Sequence, residues 1–391
     1  MPSKTAILIF AGILGSLLIC TAAPVSFFGE NTSLIWRVGG AIQYNDNIFL
    51  DATDTESDTI WVFSPGLELN FGQQPSNANL NITYVHDFVT YSDNSRLNRD
   101  NPDAKLKGFY RTAKSRINYG FSYKENSQND VGSNLVGDIA RRNIFTMNVD
   151  GEWDFSAKSS VSAGYQLHDV TYENPRFHDR DAVSVPVNYY WAVSPKLDMS
   201  VGYRFRNTSF ARGSEYISQN RGDPFNFRPD YDDQFFNVGV RGEIGAKTTA
   251  EIRVGTQKRD FNTPGVSDSD LFSANARVVW VATAKSSLTF LYSRDFNADA
   301  FGTSIKSDDF QVAGSTKLSE QVSGFASLRF ANDNYNGGRS DDGLFGQVGV
   351  TLIPNSYSTI TLAYVIYNND SNFAPADFDN NVINISGTLR Y

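Results

Sequence analysis

Hydrophobic and polar residues alternate with a period of two along most of this chain. In the last ten positions, the apolar side of the alternation consists of Ile383, Ile385, Gly387, Leu389 and Tyr391. The positions between them are polar or charged, and the same alternation runs through residues 116–123, 199–206 and 236–244. Because successive side chains of an extended strand point to opposite surfaces, these segments predict β-strands with one apolar and one polar face.

Short and long connections alternate between the predicted strands. Tight connections include 113–115, 156–158 and 246–248, whereas the intervening links are longer and rich in Asp, Asn and Gly. Short turns at one rim and longer loops at the other are typical of outer-membrane barrels. The segments between these links number about 18, which is an even count, as single-chain bacterial barrels require.

The predicted fold class is therefore all-β: a transmembrane antiparallel up-and-down β-barrel of about 18 strands, with short periplasmic turns and longer extracellular loops. In such a barrel the apolar face meets lipid, the polar face lines a wet lumen, and closure leaves no unpaired edge. A soluble β-sandwich or propeller is the alternative, but these strands exceed the usual length of about five or six residues. Pro65 and Pro186 fall inside predicted strands, and we interpret them as bulges or as misplaced strand ends.

The two ends of the chain predict its destination, the outer membrane of a Gram-negative cell. Residues 1–22 are predicted to be a cleaved signal peptide, because the apolar run Ala6–Cys20 follows Lys4 and precedes small residues. A retained N-terminal helix is the alternative, although the run is short for one. Residues 23–391 form the predicted barrel. Its aromatic last strand resembles the signal recognised by the barrel-assembly machinery, and the predicted signal residues are Ile385, Leu389 and Tyr391.

Composition narrows the possible functions further. Cys20 is the only cysteine, so a chain cleaved after residue 22 has no disulfide, thiolate nucleophile or cysteine metal site. Aromatic residues make up 14% of the chain, which suits the aromatic girdles of a membrane barrel. The net charge of -9 argues against nucleic acid as a partner.

Strand parity assigns most of the basic residues to the polar, lumen-facing side. A basic wall next to low-dielectric protein favours anions. The alternative is that these charges pair with acids across neighbouring strands and only keep the lumen hydrated. The predicted pore-lining residues are Arg37, Glu68, Lys105, Lys107, Arg111, Arg116, Lys124, Arg204, Arg206, Arg241, Glu243, Glu251, Arg253, Arg277, Arg329 and Arg390.

The width of the barrel raises the question of a plug. A barrel of about 18 strands leaves a water-filled channel unless a loop folds inside. Ala211–Asp230 is the only candidate plug that the sequence offers, since it is the longest of the predicted links. A free extracellular loop is the preferred interpretation of this segment, because its length is modest for a constriction.

Catalytic chemistry is not predicted. His168 and His178 lie near the predicted outer rim, with Asp169, Asp179 and Asp181 close in sequence. A hydrolase would need such groups aligned with a nucleophile. No nucleophile motif accompanies them, so the sequence predicts no catalytic residue, no cofactor and no metal site.

A more specific resemblance lies in the first two predicted strands. Residues 44–49 read YNDNIF and residues 64–72 read SPGLELNFG. These segments resemble the putative β-barrel porin 2 family, and a more diffuse resemblance extends over the mature chain. The resemblance implies a role beside exopolysaccharide synthesis and export machinery, with no active-site residue to transfer. It therefore implies polysaccharide and a periplasmic export component as partners, in addition to membrane lipid and lipopolysaccharide.

The expected function is a passive outer-membrane pore, without enzymatic activity, that exports an anionic exopolysaccharide. Hydrated polar walls and weak successive Arg and Lys sites would let an anionic chain slide. A general small-solute diffusion porin is the first alternative. A closed structural or adhesive barrel is the second.

Overall fold

The strands form one closed antiparallel barrel. The computed structural model describes residues 31–72, 76–132, 138–211, 230–262 and 266–391. Eighteen strands pair with their neighbours in chain order, and β1 pairs with β18 to close the sheet. The predicted fold class is therefore confirmed. The predicted signal peptide, residues 1–22, lies outside the described residues and stays a prediction.

Each strand is 12–16 residues long, more than the roughly 9–11 needed to cross a bilayer. No helix in the described parts of the chain is both long and apolar enough to span a membrane. The strands are β1 Thr32–Asn45, β2 Asp58–Phe71, β3 Ala78–Tyr91, β4 Arg99–Arg111, β5 Ser115–Ser127, β6 Arg141–Ser156, β7 Ser159–Tyr172, β8 Asp179–Ser194, β9 Leu197–Ala211, β10 Tyr231–Gly245, β11 Thr248–Phe261, β12 Ser269–Trp280, β13 Ser286–Ala298, β14 Ser304–Lys317, β15 Val322–Tyr335, β16 Ser340–Asn355, β17 Ser358–Ser371 and β18 Phe378–Arg390.

The connections divide into two rims, as predicted. Two-residue turns such as 157–158, 195–196 and 246–247 join strands at one rim, and longer loops such as 46–57 and 128–140 join them at the other. β1 begins and β18 ends at the short-turn rim. We call the short-turn rim periplasmic and the long-loop rim outer, following the asymmetry of known outer-membrane barrels.

Large apolar side chains cover the outside of the barrel. Trp36, Trp153, Phe236 and Phe272 are each more than half exposed in the isolated molecule. An apolar belt of this size is stable only where hydrocarbon covers it. The outward face at mid-height is thus the lipid-facing one.

The two strand prolines interrupt pairing without shifting it. The β2–β3 ladder runs from Phe63 opposite Phe88 to Gly66 opposite Val85, so the positions around Pro65 are skipped in the same register. Pro186 leaves a similar gap between β7 and β8. The interpretation of these prolines as bulges is therefore wrong: each lacks the N–H for one ladder bond, and the ladder resumes unchanged. Register shifts occur instead close to periplasmic turns, for example between Asp154 and Ser156.

Glycines on the inward face let the backbones of β9, β10 and β11 approach one another closely. Asn237 of β10 lies opposite Gly202 of β9 and Gly255 of β11. A Cβ atom at Gly255 would lie 1.8 Å from the carbonyl oxygen of Phe236, so only glycine fits there. Glycine in a barrel strand often marks a tight bend or a close backbone approach.

Candidate pore: lumen wall and outer mouth

Side-chain contacts between distant strands identify the inward face. Arg241 of β10 donates to Glu152 of β6 at 2.5 Å. Arg204 of β9 donates to Asp295 of β13 at 2.8 Å. Strands four positions apart in the sheet can meet only across the interior of the barrel. These residues and those of equal parity on their strands therefore face the lumen.

The densest interior contacts surround the buried carboxylate of Asp233. Arg206 and Arg259 both donate to it, with shortest distances of 2.6 and 2.7 Å. Arg206 also reaches Asp295 at 3.1 Å. Arg259 has no exposed surface, and its guanidinium lies 3.5 Å from the ring centre of Tyr231. Buried charges persist only when paired in this way.

A second set of contacts lies nearer the periplasmic rim. Glu152 accepts from Arg116 at 3.0 Å in addition to Arg241. Arg241 also stacks on the ring of Tyr190, 3.4 Å from its centre, and Arg253 donates to the hydroxyl of Tyr190 at 2.9 Å. One tyrosine thus holds two arginines beside the lumen.

Other predicted lining residues also lie in ion pairs. Arg390 pairs with Glu68 at 2.5 Å, and Lys105 pairs with Asp103 at 2.6 Å. The remaining pairs join Arg329 to Asp309, Glu243 to Lys196, and Glu251 to Arg253.

Five predicted basic residues have no carboxylate within 4.0 Å in the described part of the chain. They are therefore the cations most available to a passing anion. These residues are Arg37, Lys107, Arg111, Lys124 and Arg277.

Four cavities follow one another through the lumen from the outer rim to the periplasmic rim, and residues of strands between β5 and β17 line them. Their volumes, in that order, are about 370, 240, 430 and 660 Å³. Neighbouring cavities share lining residues: Arg180 joins the first to the second, Arg204 the second to the third, and Arg241 the third to the fourth. We call this series the arginine path.

A further cavity lies against the opposite wall. It has a volume of about 410 Å³ and is bounded by β1, β2, β3, β4 and β18. Arg37, Lys105 and Lys107 line it together with Asp103. Asp87 also lines it, so three cations face two acids. Arg37 and Lys107 have no carboxylate within 4.0 Å among the described residues, which leaves this wall with a small basic excess.

The outer mouth is narrowed by loops that fold inward. Phe63 and Phe88 are exposed on the outside, so by alternation Ile60, Val89 and Tyr91 point into the lumen. Apolar loop residues pack on these three side chains and form one buried group, the mouth cluster. Its loop members are Ile48 and Phe49 of the β1–β2 loop, Leu97 of the β3–β4 loop and Ile139 of the β5–β6 loop.

Asn47 fixes the β1–β2 loop in this inward position. Its side-chain amide donates to the carbonyl oxygens of Asp51 and Asp379 at 2.9 and 3.0 Å. Its side-chain oxygen accepts the amide of Asp51 at 3.0 Å. Asn380 of β18 adds a bond to the carbonyl of Asn47 at 2.6 Å. The YNDNIF segment thus shapes a loop that enters the lumen.

On the other side of the mouth, the β7–β8 and β13–β14 loops meet the β5–β6 loop. The amide of His178 donates to the carbonyl of Ala300 at 2.8 Å, and the amide of Ala300 donates to the carbonyl of Gly132 at 3.0 Å. Phe177 and Ala300 are buried together there. Asp299 precedes Ala300 in the β13–β14 loop. Burial raises the pKa of its carboxyl to about 6, although the amides of Phe301 and Thr303 donate to it.

These loops correct one expectation about the lumen. Ala211–Asp230 was the only candidate plug, yet the β1–β2, β3–β4 and β5–β6 loops enter the mouth. Residues 212–229 of that candidate lie outside the described residues. The short apolar pairs in the other loops, such as Ile48–Phe49, were the available signal, but their position at a strand end made them look like part of a lipid-facing strand.

The histidines and aspartates considered for catalysis do not converge. His168 faces the lumen and lies 3.3 Å from the hydroxyl of Thr146. Asp169 and Asp181 lie opposite each other on the outward parity of β7 and β8. His178 is buried in the β7–β8 loop. Within the described ranges, no group of three or more His, Cys, Asp or Glu residues could hold a metal ion.

The family of the chain follows from comparison with known proteins. The family model described as putative beta-barrel porin 2 matches residues 37–391. The chain belongs to this family. None of the curated proteins compared with the chain matches it. The resemblance noted in YNDNIF and SPGLELNFG is thereby confirmed.

Solved porins share the barrel. A BenF-like porin from Pseudomonas fluorescens Pf-5 is 11% identical, with 93% of this chain and 100% of that chain covered and a TM-score of 0.51. OccK5 (OpdH) from Pseudomonas aeruginosa is 10% identical, with 94% and 100% covered and a TM-score of 0.50. At such low identity the similarity concerns the fold. This member of the family is an outer-membrane porin-like barrel of the Gram-negative type.

Sequence reasoning missed several acids that neutralise the lumen. Asp233, Asp295, Asp198 and Asp309 all pair with predicted lining arginines. Strand parity places them on the same face as those arginines and could have identified them. Arg259, which has no exposed surface, was also missed, although parity places it on the same inward face.

Proposed function

We propose that this porin is a passive pore with a preference for small anionic solutes. The observation that carries the proposal is the set of inward bases without an acidic partner among the described residues, beside a series of connected cavities that runs from the outer loops to the periplasmic turns. Closely spaced cationic sites in a low-dielectric wall attract anions and pass them from site to site.

Ion pairing divides the interior bases into two roles. Arg204, Arg206 and Arg241 are tied to carboxylates, so they shape the wall and add little net charge. Arg37, Lys107, Lys124 and Arg277 lack such partners among the described residues and supply the net positive field. The expected selectivity therefore depends more on the second group.

The narrowed mouth favours small solutes over wide ones. Inward loops bury apolar side chains on the lumen wall, and ion pairs cross between strands four apart. Both features reduce the open section of a barrel that would otherwise leave a broad channel.

The test is the reversal potential of single channels in planar bilayers under a KCl gradient. In the combined variant Arg37→Gln, Lys107→Gln, Lys124→Gln and Arg277→Gln, the anion preference should fall on the order of twofold or more. Changing Arg204, Arg206 and Arg253 to Glu would leave their partner carboxylates without a base, and the resulting folding defect would confound the measured reversal potential. Neutralising unpaired bases is therefore the sharper experiment.

The control is Lys258→Gln, which also removes a positive charge. Lys258 lies on the outward face of β11 and pairs with Asp268, so its substitution should leave the reversal potential unchanged. A combined variant that keeps the wild-type reversal potential would disprove the anion preference. A chain without any conductance would instead support a closed structural barrel.

Export of an anionic exopolysaccharide is the second candidate. Family membership and the hydrated basic wall around Arg37 and Lys105 favour it, since a polymer could slide along such a wall. Its partners would be the polymer, a periplasmic export component and surrounding lipopolysaccharide. Deleting the gene and measuring surface polysaccharide tests this candidate: an unchanged amount of polysaccharide would rule it out while leaving the small-anion pore intact.

A further inference from the structure

The ladder between β12 and β13 covers only the part of these strands nearer the periplasmic turns. Its outermost pair is Ala274 opposite Arg294. Residues 269–273 of β12 and 295–298 of β13 lie beyond this pair, and each segment stays paired on its other side, with β11 and with β14. The barrel wall is therefore split at its outer end over a length of roughly 15 Å.

The outer end of β13 turns into the lumen at this split. Phe296 has the parity of Tyr292, which lies opposite the exposed Phe310 on the lipid-facing side. Its ring is nonetheless only 2% exposed, and the guanidinium of the inward Arg259 lies 4.6 Å from the ring centre. Phe296 also lines the second cavity of the arginine path. This strand end has thus left the lipid-facing surface.

The backbone groups that β13 directs toward β12 can be identified from the ladder with β14. In an antiparallel ladder, alternate residues direct their N–H and C=O groups to the same neighbour. The amide of Asp299 donates to the carbonyl of Thr303 on the β14 side. Phe296 and Ala298 therefore direct their groups toward β12, and they would bond to it if the ladder continued.

Side chains bond to these groups instead. Arg206 donates to the carbonyl of Phe296 at 2.8 Å, and Arg180 donates to the carbonyl of Ala298 at 2.9 Å. The amide of Ala298 donates to the side-chain oxygen of Asn297 at 2.9 Å. The tucked strand end is therefore held mainly by arginines that project from the opposite wall of the lumen.

Lys306 of β14 holds the split from the outer side. It lies opposite Phe296 in the ladder, with its Nζ 5.9 Å from the centre of that ring. The Nζ donates to the carbonyl of Asp270 on β12 at 3.4 Å. β14 thus reaches β12 directly, over the tucked end of β13.

The tucked strand end carries a loop that narrows the mouth. Ala300 of the β13–β14 loop bonds through its amide to Gly132 at 3.0 Å and through its carbonyl to His178 at 2.8 Å. We call residues 296–306 the hairpin tip. Its position therefore sets how far this loop projects into the mouth.

We propose that the hairpin tip is a gate with two positions, the tucked one of this structure and a paired one in which β12 and β13 join along the split. Continuing the ladder register pairs Phe272 with Phe296 and Asp270 with Ala298, which provides four backbone bonds. These bonds replace the four side-chain bonds that involve Arg206, Arg180, Asn297 and Lys306. The number of hydrogen bonds is thus the same in both positions, and pairing draws the loop out of the mouth.

The test locks the paired position with a disulfide between Asp270→Cys and Ala298→Cys, in a chain that also carries Cys20→Ser. Cα atoms of a bonded antiparallel pair lie about 5.5 Å apart, which suits a disulfide. Oxidation should cross-link the folded barrel and raise its mean single-channel conductance about 1.5-fold or more, and a reductant should restore the original value. The control is Val278→Cys with Phe290→Cys, a pair already joined in the ladder, which should cross-link without changing the conductance.

A second variant shifts the gate without a cross-link. Lys306→Met removes the bond to Asp270 and lies outside the lumen, so it leaves the charge of the pore wall unchanged. The ratio of wide to narrow conductance states should rise about fivefold, as expected for the loss of one hydrogen bond. Lys258→Met, on the same outward face of β11, should behave as the wild type.

Two results would overturn the proposal. Failure of the 270–298 pair to cross-link, while the control pair does, would show that the tip does not move. A cross-link without a change in conductance would show that its position does not set the width of the mouth. The gate rests on the pore proposed above but not on its anion preference. Cross-linking yield is read on a gel without any current, so failure of the gate and failure of the pore can be told apart, and the heat-shifted band establishes that each variant has folded.

Discussion

Arg259 shows how a single residue can stabilise this barrel from within. Its guanidinium is completely buried, donates to Asp233 at 2.7 and 2.9 Å and to the carbonyl of Asn297 at 3.0 Å. Those contacts join β10, β11 and the outer end of β13. Removing one partner of a buried ion pair is costly because the other charge stays buried with less compensation.

Replacing Arg259 with leucine should therefore lower the stability of the barrel. We expect a loss of about 3 kcal/mol, the lower end of the usual range, because Arg206 still pairs with Asp233. The measurement is the temperature at which the folded band is lost on a gel. Arg277→Leu is the matched control, since Arg277 has no ion pair among the described residues. Equal melting of Arg259→Leu and the wild type would contradict this account.

At the scale of the elements, the β1–β2 loop is held in place by hydrogen bonds around one side chain. Three bonds to the side chain of Asn47 link it to the loop itself and to β18. Ile48 and Phe49 follow directly and enter the mouth cluster. The loop thus reduces the opening of the pore through one polar and one apolar set of contacts.

Asn47→Ala should release this loop and widen the mouth. The lost bonds are worth about 1 kcal/mol each, so the inward position should lose about 3 kcal/mol. Single-channel recordings should show a higher mean conductance. Asn336→Ala, in the exposed β15–β16 loop, should behave as the wild type. If Asn47→Ala conducts no more than the control, the loop does not restrict the pore.

Strands and turns could be predicted from the sequence, whereas contacts across the lumen could not. Period-two alternation in segments such as 199–206 depends only on local chemistry, so it predicted the strand and its two faces. The Arg204–Asp295 pair depends on the curvature of the wall, which alternation does not encode. The inward path of Ile48 and Phe49 depends on Asn380, more than 300 positions away in sequence.

At the scale of the whole molecule, acids outnumber bases, and part of that excess lies at the outer rim. The chain has a net charge of -9, and acids occupy the outward parity near the outer ends of the strands, including Asp232 and Asp308. The outer rim is therefore acidic, as are the Asp-rich loops that join the strands there. Unpaired bases such as Arg37 lie inside. An anion must therefore pass an acidic rim before it reaches the basic interior, which should make its entry more sensitive to salt.

Closure of the barrel depends on the seam between its first and last strands. Trp36 and Tyr391 exchange two backbone hydrogen bonds of 2.8 Å at this seam, and the Tyr391 ring stacks with Tyr357 at 6.5 Å between centres. Deleting Tyr391 removes both bonds and the terminal aromatic residue of the predicted insertion signal. The truncated chain should reach the periplasm but assemble poorly, seen as a several-fold loss of the heat-shifted band in outer-membrane fractions. Tyr391→Phe is the control, because it keeps the backbone and the ring and should assemble normally. Normal surface levels of the truncated chain would show that the seam closes without residue 391.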